Sequence, residues 1–232
     1  MAVPALPPEP RLGSAIRAAL TDFYYNSLRF VAANLIWTAV LVFLWVGFLA
    51  TPPVVLLAPL LAFPTAAIFR IAGLVHRGEL ASFWDDLAVW RTDAGPILLL
   101  GLAIAGCMAV FVVNLWFGIS MGTPIGWSLA TLAAWGLVVT WMFAWTAWPV
   151  LMDPRRRDRS IHDRLRVAGL LVIAFPVRFG VMSVFLAVIL FVSTVAVVVL
   201  ATVGVAFASL VATRYVLPAS DRLELRLEGA RS

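Results

Sequence analysis

The side chains able to do chemistry are few, and most stand apart. Cys107 is the only cysteine and lies in an apolar run, so neither a disulfide framework nor a Cys/His metal site can be built. Asp158, His162 and Asp163 would meet on a helix at i, i+4 and i+5, which is the spacing of a small cation site. Five arginines close by (155, 156, 157, 159 and 164) oppose a cation there. His76 has no such companions, and no phosphate loop, nucleophile elbow or paired-carboxylate motif occurs. These residues argue against an enzyme and call for no metal or cofactor.

Binding chemistry is better represented. The run Asp153 to Arg166 carries six arginines and three aspartates, with Arg155, Arg156, Arg157 and Arg159 at its densest part. Such a cluster beside a membrane attracts anionic lipid headgroups at about 1 kcal/mol per basic residue, and it equally suits an acidic partner surface. The plainer reading is a topological anchor with solvated side chains. A second charged surface runs from Arg77 to Arg91 and includes Trp84, Asp85 and Asp86.

Within the apolar stretches the most polar residues are Asn34 and Asn114, and Thr65 follows Pro64, which with Pro59 interrupts one helix. They could line a small-molecule path, in a channel or transporter. They could also make interhelical hydrogen bonds and close helix packing. Trp141, Trp145 and Trp148 share one helical face among ten tryptophans, as a sugar-stacking platform or, alternatively, as interfacial belt and packing residues.

The elements that must position these groups follow from composition. The 232 residues are 63% hydrophobic and 12% charged, with a mean hydropathy of +1.01, outside the range of soluble domains and of disordered chains. The expected fold is all-α, a polytopic transmembrane helix bundle of about six spans with short interfacial amphipathic helices. About 20 apolar residues cross a bilayer core, which places spans at about 30–50, 54–75, 97–117 and 125–151. The uncharged run from Phe179 to Thr213 would be about 52 Å long as one straight helix, too long for a single crossing. It divides into spans at about 178–195 and 198–215, with a turn between Val192 and Gly204. Val167 to Phe175 contributes upstream, and Pro176 acts as a kink. The spans form one domain, 14–217, between a proline-rich tail, 1–13, expected to be disordered, and a cytoplasmic tail, 218–232.

Charge decides between five and six spans. All seventeen basic residues are arginine, and with six spans every arginine and all twelve acids fall on one side. Basic residues favour the cytoplasm, so both termini are expected on the cytoplasmic side of the membrane. The net charge of +5 then reports orientation, and nucleic acid is not an expected partner; the bilayer is. Two surface helices are expected. In residues 14–30, Ile16, Leu20, Phe23, Tyr24 and Leu28 recur at helical spacing; in Leu80 to Arg91, Leu80, Phe83, Trp84, Leu87 and Trp90 form a stripe, with Ser82 and Asp85 spaced as a capping box.

Four stretches resemble the YesL-like family of bacterial integral membrane proteins, a domain of unknown function. They are Tyr24 to Trp37; Pro64-Thr65-Ala66-Ala67 with Arg77-Gly78-Glu79 and Phe83-Trp84-Asp85-Asp86-Leu87; Trp148-Pro149-Val150-Leu151; and Leu165 to Gly180. The similarity spans roughly residues 14 to 215 and departs in the arginine-dense loop and the tails. It implies an accessory role near carbohydrate ABC transporters, whose subunits would be the partners, and it supplies no catalytic residues.

Overall fold

The computed structural model describes residues 11–79 and 83–229, and these form helices and turns without a strand. Six helical segments are long and apolar enough to cross a bilayer: Ser27–Ala50, Pro52–Arg77, Ala94–Met121, Pro124–Leu151, Pro176–Val195 and Leu200–Leu227. The chain is therefore a multi-pass, all-α membrane bundle. Helix α1 (Leu12–Tyr25) precedes the first span, α2 (Ser27–Ala50). The second span opens as a 3-10 stretch, Pro52–Leu61, where Pro52, Pro53 and Pro59 deny the regular ladder its N–H donors, and becomes α3 (Ala62–Arg77). After α4 (Phe83–Thr92) come α5 (Ala94–Met121), α6 (Pro124–Leu151), α7 (Ile161–Ala174) and α8 (Pro176–Val195). A single turn at Val197–Val199 and a π-helical segment at Leu200–Gly204 then lead into α9 (Val205–Gly229).

Helix α9 is the centre of the bundle. Two thirds of its apolar window is buried, against 17% for α5 at the periphery. Its Ala206, Ala208, Ser209, Ala212 and Thr213 are all buried, and such small side chains let neighbouring backbones approach closely. Helices α1, α2, α3, α6, α7 and α8 all pack against it. The outer faces of α2, α5 and α6 carry exposed Phe43, Trp45, Val113, Trp116, Trp127 and Trp135, as a lipid-facing surface requires.

Several boundaries differ from the sequence reading. The loop expected over Gly118 to Gly126 shrinks to Gly122 and Thr123, because Gly122 takes the left-handed conformation (φ 61°) and Thr123 caps α6 through its side chain. Gly118 and Gly126 let the two helices meet at this turn: a Cβ on Gly118 would lie 2.6 Å from the Gly126 carbonyl oxygen. Val167 to Phe175 lies mostly in the separate helix α7, which ends as Phe175 leaves helical geometry before Pro176. Residues 218–229, expected in a tail, continue α9 without a break despite Pro218.

Helix α1 also departs from its expected face. Ala15 and Ala19 make its buried contact, Ile16 and Phe23 pack at the edge, and Leu20, Tyr24 and Tyr25 point outward with Leu28 of α2. Alanines permit close packing on α9, and large apolar residues at a membrane surface are stable toward lipid. Leu12 and Gly13, assigned to the disordered tail, form the start of α1, and Arg11 stands at its N-cap; residues 1–10 lie outside the described residues, as does the Ser82 cap expected for α4.

Candidate functional site

Among the described residues, the charged ones lie toward one end of the six crossings. The opposite connections, at Thr51, at Gly122 and Thr123, and at Ala196, carry none. At the charged end, the last turn of α3, the link between α6 and α7, and the end of α9 come together. Arg77 holds Asp153 with two hydrogen bonds, Nε to Oδ1 at 3.1 Å and Nη2 to Oδ2 at 2.6 Å. The same guanidinium donates to Asp221 at 2.7 and 3.1 Å. Arg156 also donates to Asp153 through Nη1, reaches Asp221 at 2.5 Å, and donates to Glu224 from Nε at 3.1 Å. Arg159 closes the series on Glu224 at 2.7 Å. Three arginines thus meet three carboxylates.

Local sequence places each member. Gly78, at φ 75°, ends α3 and leaves Arg77 in its last turn, where a cation also opposes the helix dipole. Asp153 caps the short 3-10 turn Pro154–Arg156, which directs Arg156 inward. Asp221 and Glu224 stand at i, i+3 on α9 and share a face. The side chains of Arg77, Asp153 and Arg156 are 5%, 0% and 3% exposed. Charges this deep are tolerable only when paired, and removing one partner of such a pair costs about 3–5 kcal/mol. Burial opposes the charge on Arg156, but its hydrogen bond to Glu224 and the nearby Asp153, Glu224 and Asp221 charges outweigh it and raise the pKa.

Arg77 and Arg156 were expected to contact lipid or a partner; they instead turn inward and are engaged by acids of the same chain. Arg155, Arg157 and Arg159 remain exposed, although Arg159 shares Glu224. Trp84, Asp85 and Asp86 fall in α4, but their side chains lie outside the described residues. Arg164 is buried and donates to the Leu151 carbonyl at 2.8 Å, tying α7 to the end of α6, and burial lowers its pKa. Arg70 donates to the Met152 carbonyl at 3.4 Å, and Arg178 lies over the Phe175 ring. The sequence reading missed Asp221 and Glu224, whose signal was their spacing on a segment read as a tail.

The polar residues inside the spans are used structurally. Asn34, fully buried in α2, donates through Nδ2 to the carbonyls of Leu200 and Ala201 at 2.7 and 2.8 Å. Its Oδ1 accepts the Ala206 amide at 2.9 Å. The π-helical segment shifts the backbone ladder at this point, and one side chain from another helix satisfies three of its groups. Thr65 donates to the Leu61 carbonyl and accepts from Trp37 Nε1. Asn114 bonds the Val110 carbonyl of its own helix, and Pro64 is buried within α3. Trp141, Trp145 and Trp148 of α6 pack inward: Trp145 and Trp148 meet Phe69 at ring-centre distances of 5.8 and 6.4 Å, and Trp141 donates to the Ser183 carbonyl. Among the described residues, no group of three His, Cys, Asp or Glu could hold a metal ion.

Fold and charged end together define a polytopic helical membrane protein with an internally neutralised polar cluster beside exposed arginines. No known family model matches the chain, and no curated protein or solved structure is similar to it.

Proposed function

We propose that the chain is a non-enzymatic protein of the bacterial cytoplasmic membrane, with both termini in the cytoplasm. On this reading it works as an accessory or assembly partner of a carbohydrate ABC transporter. The observation that carries the reading is the contrast between the two ends. One end presents Arg155, Arg157, Arg159 and Arg166 above a buried ion-pair cluster, while the turns at the other end, at Thr51, at Gly122 and Thr123, and at Ala196, carry no charge. A surface of exposed arginines on a rigid support suits recognition of an acidic partner. Within the spans, Asn34, Thr65 and Asn114 are occupied by backbone groups, which weighs against a channel or transporter path. The family resemblance supplies the transporter association, and that part of the proposal rests on it alone.

The test is affinity purification of the full chain from native membranes in mild detergent, paired with sugar uptake in a deletion strain. Transporter subunits should be recovered, and their yield should fall in an R155Q/R157Q double variant; uptake should drop on deletion. Recovery of no transporter subunit together with unchanged uptake refutes the association.

A further inference from the structure

At the charged end, a groove of about 1000 Å³ runs between α1, α3, α8 and α9. Three arginines and one histidine line it from four separate segments: Arg11 before α1, His76 in α3, Arg178 at the start of α8, and Arg214 in α9. No carboxylate lines it among the described residues. Asp22 accepts from the Nε of Arg214 at 2.5 Å, which fixes that guanidinium and balances its charge. Leu12, Ala15 and Pro218 supply an apolar wall, and Tyr215 and Ser14 add hydroxyl groups.

Three further features mark the groove as more than a solvated basic face. His76 Nδ1 is buried and has no hydrogen-bond partner among the described residues, although a buried imidazole nitrogen ordinarily has one. The first turn of α1 borders the groove through Leu12, Ser14 and Ala15, with no acidic residue and no side-chain cap, so its amides add partial positive charge. A second cleft shares Arg178 and Tyr215 and continues the basic lining with Arg222 and Arg226.

We propose that this groove binds a phosphate-bearing anion, with Arg11, Arg178, Arg214 and His76 around the phosphate and the wall of Leu12, Ala15 and Pro218 against its apolar part. Phosphate suits the set because several donors converge on it from different directions, and guanidinium groups match its oxygens in pairs. The combination of apolar wall and basic rim, beside a helix whose Leu20, Tyr24 and Tyr25 face outward at the membrane surface, fits the headgroup of an anionic phospholipid. A soluble phosphate compound shares the same chemistry, and the experiment separates the two.

Full-length protein is placed in nanodiscs of phosphatidylcholine containing one fifth phosphatidylglycerol, and retained lipid is read by native mass spectrometry on gentle release. Binding of inorganic phosphate is read by calorimetry on delipidated protein in neutral detergent. The R11Q/R178Q double variant is compared with R17Q, which removes an exposed arginine of α1 outside the groove lining; elution on size exclusion verifies folding. Preferential retention of phosphatidylglycerol should fall about fivefold per arginine, or about thirtyfold in R11Q/R178Q, and hold in R17Q. That result assigns a lipid headgroup. Phosphate binding that is lost in the same groove variant, without lipid preference, assigns a soluble phosphate compound to the same site. Equal losses in both variants, or no selective binding of either probe, overturn the proposal.

Discussion

Replacing Asn34 with leucine should be among the most damaging single changes in the spans, although it makes the segment more apolar. Leucine shares the branched, four-heavy-atom outline of asparagine, so the change removes the hydrogen bonds while its bulkier methyl groups add some crowding at this fully buried site. Two carbonyls, of Leu200 and Ala201, lose their donor, and the Ala206 amide loses its acceptor. Interhelical hydrogen bonds in membranes average about 0.6 kcal/mol and reach about 1.7, so three give a loss of about 2 to 5 kcal/mol. N34D sharpens the test, since aspartate keeps an acceptor for Ala206 but turns an oxygen toward two carbonyls; it should be no more stable than N34L. N114L is the control, because Asn114 bonds only a carbonyl of its own helix that already serves the helix ladder, and it should change stability by less than about 0.5 kcal/mol. Unfolding free energies from steric trapping in bicelles provide the comparison, with hydrogen exchange at the Ala206 amide as a local readout. If N34L matches wild type in stability and leaves that exchange unchanged, the view of Asn34 as the support of the π-helical segment is wrong.

Further outcomes follow from the same structure. D153N should destabilise by about 3–5 kcal/mol, since Arg77 and Arg156 lose a shared buried carboxylate, while D158N on the exposed loop should fall within about 0.5 kcal/mol of wild type; thermal denaturation in detergent measures both. G118L should disrupt the α5–α6 turn, because its side chain would meet the Gly126 carbonyl and the Ala130 amide, and should lower the melting temperature more than the same change at the open Gly106. In a C107A background, Thr123→Cys should react with an impermeant thiol reagent added outside intact cells and Arg157→Cys should not; the reverse pattern would invert the proposed orientation.

Much of the fold was legible because a bilayer imposes a coarse rule on composition. Where about 20 apolar residues must cover the hydrocarbon, spans are read from local runs, and the turns at Thr51, Gly122 and Ala196 fall where breakers or run length demanded them. Boundaries were less legible. Gly122 shortened its loop by a positive φ that many glycines never use, and the segment after Pro218 stayed helical because Asp221 and Glu224 find arginines on other elements.

By itself, then, the sequence determined the solvent, the helical class, the six crossings and the gathering of charge toward one side, since each depends on residue type and order along the chain. Only the tertiary structure decided which charges are spent internally and which remain to act. Arg77 and Arg156 are as basic in the sequence as Arg155 and Arg157, yet burial against Asp153, Asp221 and Glu224 removes the first two from any surface. The groove set of Arg11, His76, Arg178 and Arg214 was likewise invisible, because its members belong to four segments that meet only when α9 takes the centre of the bundle. Pairing energy depends on distance and burial, and neither is a property of spacing along the chain.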